Sequence, residues 1–95
     1  MRSPVPIRCT SKALGDLARL HAFLAEVNRN AAGNIVRWLT TAAKRLQEYP
    51  HLGERLEEFK PREVRRLIVG NYEMRYEISD RRVFMLNIWH AKGDR

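Results

Sequence analysis

Histidine is the residue type in this 95-residue chain that is best suited to acid–base chemistry at neutral pH. His90 follows a long apolar segment near the C-terminus and could act as a general acid or base. A histidine at a strand end can equally serve only to hydrogen-bond the chain that follows it. His21 and His51 are too far apart in the sequence for a recognisable zinc spacing, so we expect no metal site and no cofactor.

Arginines form the second group of chemically useful side chains. Arg65 and Arg66 are adjacent in a predicted strand, so they point to opposite faces and only one of them can share a face with Arg75. Glu73 and Glu77 flank Arg75 on its face of the strand. These charges could form a cross-strand ion-pair ladder or the surface that meets a partner, and the sequence leaves both interpretations open.

The elements that position these side chains are three antiparallel strands between residues 62 and 90. In residues 72–79, apolar and mostly charged side chains alternate with a period of two, which predicts a strand with one buried face. Gly70-Asn71 and Ser79-Asp80 predict tight turns before and after this strand. Residues 83–89 are almost all apolar, which is typical of a strand covered on most of both faces.

A short strand and a helix are predicted before this sheet. Residues 5–10 have strand character, and Pro6 places them at a sheet edge or lies before the first paired residue. Thr10 or Ser11 is expected to cap the helix. The helix has an apolar stripe at regular helical spacing, formed by Ala13, Leu17, Leu20, Leu24 and Val27.

A second helix is expected to begin at a cap on Asn30 and to end at Pro50. Trp38 widens its apolar stripe, and we expect this tryptophan to pack in the core. Residues 51–60 are interpreted as a surface loop with one possible helical turn. The main stripe of the second helix is formed by Ile35, Leu39, Ala42, Leu46 and Tyr49.

These elements predict an α+β fold in the order β-α-α-β-β-β, as a single domain spanning residues 1–95. An N-terminal strand comes first, and an antiparallel helical hairpin packs on a small, mainly antiparallel sheet. In the last strand, Val83, Met85 and Trp89 share one parity, and Phe84 has the opposite one. If the helices cover the Phe84 face, the Val83 face is apolar and a partner should bury it.

Composition limits the class of partner and compartment. Eighteen Lys and Arg against eleven Asp and Glu give a net charge of +7, which favours an acidic partner, either nucleic acid or protein, over a merely solvated surface. No apolar run approaches the roughly 20 residues that a bilayer crossing requires. The N-terminus does not resemble a secretory signal, and the single Cys9 is interpreted as a small strand residue. We therefore expect a cytoplasmic protein.

The order of elements, the basic segment EVRRLIVGNYEMRYEI and the ending IWHAKGDR together resemble the RelE/ParE superfamily of bacterial type II toxins. The resemblance covers nearly the whole chain. It implies one of two activities, because RelE-like members cut mRNA on the ribosome without a metal, whereas ParE-like members poison DNA gyrase. If the chain is a nuclease, the resemblance implies that its catalytic residues are Arg66, Arg75 and His90.

The C-terminal segment departs from the RelE-like pattern, in which an aromatic residue, usually tyrosine, lies close to the end of the chain. No tyrosine follows His90, Lys60 is the only lysine near the start of the sheet, and nothing in the sequence places Glu54, Glu57 or Glu58 as a base. The HAKGDR ending resembles the ParE-like branch instead. The resemblance therefore favours a toxin that acts by binding, with RelE-like endoribonuclease activity as the alternative.

The ParE-like resemblance also implies partners. We expect DNA gyrase as the target, a ParD-like acidic antitoxin that folds along the toxin in a hetero-oligomer, and no direct sequence-specific binding of nucleic acid. The sheet face of Arg75 and the basic C-terminal tail are the expected binding surface. The residues that we expect to contact the target or the antitoxin are Arg65, Arg66, Arg75, Val83, Met85, Trp89, His90, Lys92 and Arg95.

Overall fold

A helical hairpin lies on one face of a five-stranded sheet in the computed structural model, which describes residues 5–90. The α+β class and the helical hairpin packed on a mainly antiparallel sheet are therefore confirmed. The loop between the second helix and the meander adds a two-residue strand that we did not predict, followed by a 3₁₀ turn at Glu57–Phe59. In chain order the elements are β1 (Ile7–Cys9), α1 (Ser11–Val27), α2 (Arg29–Glu48), β2 (Glu54–Arg55), β3 (Glu63–Val69), β4 (Tyr72–Ser79) and β5 (Arg82–His90).

The strands are arranged in the order β1-β5-β4-β3-β2, so that β1 and β2 form the two edges. β1 pairs with β5 in parallel, and the other pairs are antiparallel. Pro6 precedes the first paired residue, and its carbonyl accepts a hydrogen bond from the Val83 amide at 2.9 Å. Proline lacks an amide donor, which is why it is tolerated at this edge.

No helix among residues 5–90 is both long enough and apolar enough to cross a membrane.

Two-residue loops set the register of the meander. Gly70 has a φ of 60° in the loop between β3 and β4. Asp80 and Arg81 have φ values of 53° and 59° in the loop between β4 and β5. Positive φ at the first residue of the Gly70-Asn71 loop, and at both residues of the Asp80-Arg81 loop, matches the right-handed twist of the strands on either side of a hairpin. The two turns therefore lie where the sequence predicted them.

The caps of the two helices are only partly as predicted. The Thr10 side chain accepts a hydrogen bond from the Ala13 amide at 3.1 Å, which confirms it as the cap of α1. Asn28 caps α2 by accepting from the Ala31 amide at 3.0 Å, so the prediction of Asn30 is wrong. Asn28 is the only residue between the two helices and has an extended backbone, whereas Asn30 already lies within α2.

The core lies between the helical hairpin and the sheet. Ala13 of α1 and Leu39, Ala42 and Leu46 of α2 are buried in it, as their stripes predicted. Burying a large aliphatic side chain contributes about 1.5–3 kcal/mol, so this interface is the main source of stability. The largest fully buried side chains are Tyr76, Leu46, Met74, Met85, Val64 and Val83.

An irregularity in β5 decides which of its side chains enter the core. Arg75 pairs with Asn87, whereas the next residue of β4, Tyr76, pairs with Met85, so Leu86 is an additional residue on β5. Such a bulge reverses the alternation of side chains along the strand. Met85 before the bulge and Ile88 after it consequently both lie in the core, although their sequence parity is opposite.

The expectation of an uncovered Val83 face is therefore wrong. Val83 and Met85 are 0% and 1% exposed, because they face the helices together with Tyr76 and Ile78, their partners in β4. Their side chains are part of the core and leave almost no surface for the target or the antitoxin. Trp89 remains on the opposite face, because the bulge separates it from Val83 and Met85.

A buried tyrosine attaches the loop after α2 to the sheet. The Tyr76 hydroxyl donates a hydrogen bond to the Pro50 carbonyl at 2.7 Å and accepts one from the Gly53 amide at 2.8 Å. Burial raises the pKa of the Tyr76 hydroxyl. A Cβ atom on Gly53 would lie 2.5 Å from the Arg66 carbonyl oxygen, so only glycine fits where the loop meets β3.

Candidate functional site

The sheet face that points away from the helices, which we call the outer face, contains two of the predicted arginines. Arg66 and Arg75 are directly opposite each other in the β3–β4 register. Arg75 alternates with Met74 and Tyr76, whose side chains lie in the core, so both arginines point away from the helices. Arg66, and not Arg65, therefore shares the face of Arg75.

Arg75 contacts two aromatic rings. Its guanidinium carbon lies 4.9 Å from the centroid of the Trp89 ring and 5.4 Å from that of Phe59. These distances are within the range of cation–π attraction. Arg75 Nη2 also lies 3.5 Å from Glu73 Oε2. The predicted binding residue Trp89 therefore lies on the outer face and forms part of the packing around Arg75.

Glu73 is a buried carboxylate between the two arginines. It is 7% exposed, and its Oε1 lies 4.0 Å from Arg66 Nη1. Among residues 5–90, Glu73 Oε2 and Arg75 Nε are buried without a hydrogen-bond partner. A buried charge is tolerated only beside an opposite charge, so Arg66 and Arg75 are what keep this carboxylate in place. We call Arg66, Glu73 and Arg75 the outer-face cluster.

Two further carboxylates bind arginines at the margins of the outer face. Glu54 of β2 accepts a hydrogen bond from Arg66 Nε at 2.9 Å, and this bond raises the pKa of the guanidinium. Glu77 accepts two hydrogen bonds from Arg62, at 2.7 and 3.1 Å, which lower the pKa of Glu77. Glu54 therefore serves as an ion-pair partner here, and the charges of this face form a ladder across strands β2, β3 and β4.

His90 lies on the other side of the sheet. It is paired with Tyr72 in the β4–β5 register, and the two rings meet edge to face with their centroids 5.1 Å apart. Tyr72 is buried on the helix side. The possible nuclease site is therefore divided between the two faces of the sheet. Arg66 and Arg75 lie on the outer face, and His90 lies on the helix side. Lys92 and Arg95 lie outside the described residues.

Arg65 connects β3 to the preceding loop. Its Nη1 donates to the carbonyl oxygens of Gly53 at 2.6 Å and His51 at 3.3 Å, and its Nε donates to Glu63 at 2.9 Å. The side chain is mostly buried. These contacts give Arg65 a structural role on the helix side of the sheet, which the sequence did not reveal because it left open which of the two adjacent arginines shares the face of Arg75.

An apolar groove between α2 and β3 is the second notable surface, and the sequence did not reveal it. Its volume is about 280 Å³. Trp38 is 57% exposed at the groove, so the prediction that it packs in the core is wrong. Ile68 and Leu52 are 52% and 43% exposed. We call this surface the α2–β3 groove; it is lined chiefly by Trp38, Thr41, Arg45, Leu52, Leu67 and Ile68.

Comparison with known proteins establishes the family. The sequence profile of the ParE toxin of type II toxin–antitoxin systems, parDE, matches residues 7–95. The chain belongs to this ParE toxin family. It is also similar to the toxin RelE2 of Caulobacter vibrioides, with 35% identity over 82 residues that make up 86% of this chain and 90% of that protein.

A solved structure has the same fold as this ParE-family toxin. A chain described as belonging to the chromosomal ParDE toxin–antitoxin system of P. aeruginosa superposes with a TM-score of 0.75. The superposition covers 93% of this chain and 97% of that chain, at 19% sequence identity. The ParE and RelE2 names belong to two branches of one superfamily, so the family match identifies a type II toxin without distinguishing its target.

Proposed function

We propose that this ParE-family toxin inhibits DNA gyrase by binding, without cleaving nucleic acid, and that a ParD-like acidic antitoxin neutralises it. The observation that carries the proposal is the position of His90 on the helix side of the sheet, with Arg66 and Arg75 on the outer face. A metal-free ribonuclease needs its acid, its base and its cationic groups around one phosphate. His90 does not meet Arg66 and Arg75 in that way, because they lie on opposite faces of the sheet.

The contacts that Arg66 and Arg75 make within the sheet face also support a binding role. Arg66 is held by Glu54, and Arg75 is held by Glu73, Trp89 and Phe59. Arginines that stabilise the charge of a phosphorane transition state need donors aimed at the place where that charge develops. Here the guanidinium groups are directed towards side chains of the same sheet face. This arrangement suits a rigid protein-binding surface better than a catalytic one.

The proposal of an acidic antitoxin rests on charge and on the relatives. The net charge of +7 in 95 residues would favour association with an acidic segment and limit self-association. The similar solved chain is described as part of a ParDE toxin–antitoxin system. We infer that this chain likewise has a ParD-like partner, with which it forms a hetero-oligomer in the cytoplasm.

Ribosome-dependent cleavage of mRNA is the second candidate function. The observation that favours it is Glu73, a buried carboxylate between two arginines, because a carboxylate in such a site could accept a proton. The name RelE2 of the Caulobacter relative points in the same direction. The buried position of Glu73 counts against this candidate, because a 2′-hydroxyl group would have to reach the carboxylate.

One comparison separates the two functions. Purified toxin is added to a gyrase supercoiling reaction and, in parallel, to translating ribosomes whose mRNA 5′ ends are mapped. Loss of supercoiling with intact mRNA supports the gyrase proposal. Cleavage at defined codon positions with normal supercoiling overturns it and establishes the ribonuclease. Normal supercoiling and intact mRNA together would also overturn the gyrase proposal.

A further inference from the structure

We propose that Asp16 blocks strand addition at the edge of β5: it binds the backbone of β5 just beyond the end of β1, and so keeps a second copy of the chain from pairing there. The inference concerns self-association of the toxin and does not depend on which target the toxin has. It gives a role to an ion-paired carboxylate of α1 that is not part of the outer-face cluster.

The edge of β5 is only partly covered by β1. The three residues of β1 pair with residues 83–85, and β1 is the only strand on that side of β5 within residues 5–90. The chain then leaves the sheet at Thr10, whose amide donates to the Met85 carbonyl at 3.0 Å. Beyond the end of a short edge strand, the next strand presents its backbone donors and acceptors outwards, and such groups are where strands of different chains pair.

The sequence of β5 favours pairing with a copy of itself. Residues 83–89, VFMLNIW, contain no charged residue, no proline and no glycine. Segments of about six or seven residues with high β propensity and no charge are those that pair between chains. Two identical edges can pair about a two-fold axis, so a second copy of this chain is the partner that an open β5 edge would select.

Two side chains at the start of α1 bind the backbone groups of this edge. Asp16 Oδ2 accepts a hydrogen bond from the Ile88 amide at 3.1 Å, and the Thr10 hydroxyl donates to the Leu86 carbonyl at 3.3 Å. Both backbone groups therefore already have a partner within the monomer. The bulge at Leu86 is a further obstacle, because an extra residue interrupts the regular spacing of donors and acceptors that an incoming strand needs.

The Asp16 carboxylate is held in place by two cations. Its side chain is 9% exposed, and Lys12 Nζ and Arg19 Nη2 lie 3.2 and 2.7 Å from its Oδ1. An incoming strand would have to break these ion pairs, or bury the carboxylate against its own backbone, and either change is unfavourable. An inward-pointing charge of this kind is one of the ways in which proteins protect a strand edge.

Self-association is tested by sedimentation velocity over a wide range of toxin concentrations. We expect the wild type to remain monomeric. Asp16→Ala should associate about 10-fold or more strongly than the wild type, because one Ile88 amide from each copy becomes available for a hydrogen bond between chains. Asp16→Asn retains a side-chain oxygen that can accept from this amide, so it should associate less than Asp16→Ala.

A matched control separates the open edge from a general loss of stability. Tyr76→Phe removes hydrogen bonds to Pro50 and Gly53 at the loop after α2 and leaves the contacts of Asp16 and Thr10 unchanged. It should therefore remain monomeric. Circular dichroism confirms that each variant is folded. If Asp16→Ala fails to fold, Thr10→Val takes its place, because it releases the Leu86 carbonyl at the same edge.

Hydrogen exchange at the Ile88 amide locates the contact. In the wild type we expect this amide to be protected at every concentration, because Asp16 binds it. In dilute Asp16→Ala it should exchange about 10-fold or more faster, and protection should return as the concentration rises and the strands pair. In Thr10→Val, where Asp16 still binds the amide, the sedimentation result alone decides.

Self-association of Asp16→Ala with restored protection of Ile88 supports the proposal. A folded Asp16→Ala that stays monomeric overturns it, and so does a monomeric Thr10→Val where that variant is the one measured. Equal association of Tyr76→Phe would trace the effect to lost stability and also overturn it. A dimer of Asp16→Ala in which the Ile88 amide still exchanges as fast as in the dilute sample would place the contact elsewhere, with the same consequence.

Discussion

The carboxylate of Asp16 in α1 accepts a hydrogen bond from the backbone amide of Ile88 in β5, with Oδ2 3.1 Å from the nitrogen. β1 pairs with β5 only as far as Met85, so the amide of Ile88 lies beyond the end of β1. Thr10 donates from its hydroxyl to the Leu86 carbonyl at 3.3 Å in the same region. The N-cap and Asp16 of α1 therefore bind backbone groups at the bulge and just after it, and they hold the reversal of side chains in place.

Removing the Asp16 carboxylate should destabilise this junction. We expect Asp16→Ala to lower the free energy of unfolding by about 1–3 kcal/mol, because the Ile88 amide loses its acceptor in a mostly buried position. Denaturant titration followed by circular dichroism measures the change. Asp16→Asn, which retains an acceptor but loses the ion pairs with Lys12 and Arg19, should cost less. Equal stability of wild type and Asp16→Ala would contradict a stabilising role for the hydrogen bond between Asp16 and the Ile88 amide.

Asp16 should also make stability depend on pH. Burial alone would raise the pKa of Asp16, but hydrogen bonds from the Ile88 amide, Lys12 and Arg19 outweigh it and lower the pKa below the usual 3.8. The ionised group therefore stabilises the fold above its unfolded pKa, and this stability is lost as the pH falls through the lower folded pKa. The wild type should lose more stability than Asp16→Asn between pH 5 and that folded pKa, in unfolding curves recorded at each pH. If the free energy of unfolding falls equally with pH in the wild type and in Asp16→Asn, Asp16 is not the source of the pH dependence.

The attachment of the loop by Tyr76 predicts a second loss of stability. Tyr76→Phe keeps the ring but leaves the Gly53 amide and the Pro50 carbonyl without their partner, so we expect a loss of about 1–3 kcal/mol. Gly53→Ala should be more harmful, since its methyl group would lie 2.5 Å from the Arg66 carbonyl. Thermal unfolding of the two variants measures both effects. The prediction is wrong if Gly53→Ala has the same melting temperature as the wild type.

The bulge in β5 can be tested by comparing neighbouring residues. Met85 is in the core, whereas Phe84 pairs with Glu77 and lies on the outer face. We expect Met85→Gln to cost about 2–5 kcal/mol, because it places an amide in the core. Phe84→Gln, the matched control, should cost about 1 kcal/mol or less. If the two variants have the reverse order of stability in urea, the predicted pattern of alternation along this strand is wrong.

His90 provides a functional test of the proposed mode of action. Because its ring contacts Tyr72 on the helix side, we expect His90→Gln to keep inhibition of gyrase within about 3-fold of the wild type. Removing a general acid or base would instead reduce cleavage of mRNA by about 100-fold or more. Growth arrest on induction, compared at matched toxin levels, is the readout, with the supercoiling assay on purified protein as its check. Loss of arrest in a variant that melts like the wild type would argue for catalysis.

Local pattern was enough to predict most of the fold. The alternation of residues 72–79, the two apolar helical stripes and the paired turn residues each depend on neighbours in the chain. The structure confirms the alternation, the turns and most of each stripe, whereas Val27 and Tyr49 at the stripe ends are exposed. The prediction that Pro6 lies at a sheet edge is also confirmed. It rested on a property of one residue, because proline has no N–H to donate to a neighbouring strand. The resemblance to the toxin superfamily rested on the order of these elements, and the family profile confirms it.

The sequence by itself determined both helices, four of the five strands and the basic charge, because periodicity, turn chemistry and composition are local properties. Its resemblance to the RelE/ParE superfamily indicated the toxin family. Only the tertiary structure decided which residues form surfaces. Residues 83–89 are apolar except for Asn87, so no alternation in the sequence could reveal the bulge that buries Met85. The position of His90 away from the arginines and the opening of the groove at Trp38 depend on strand register and on where β2 ends. Both follow from contacts between segments that are distant in the chain.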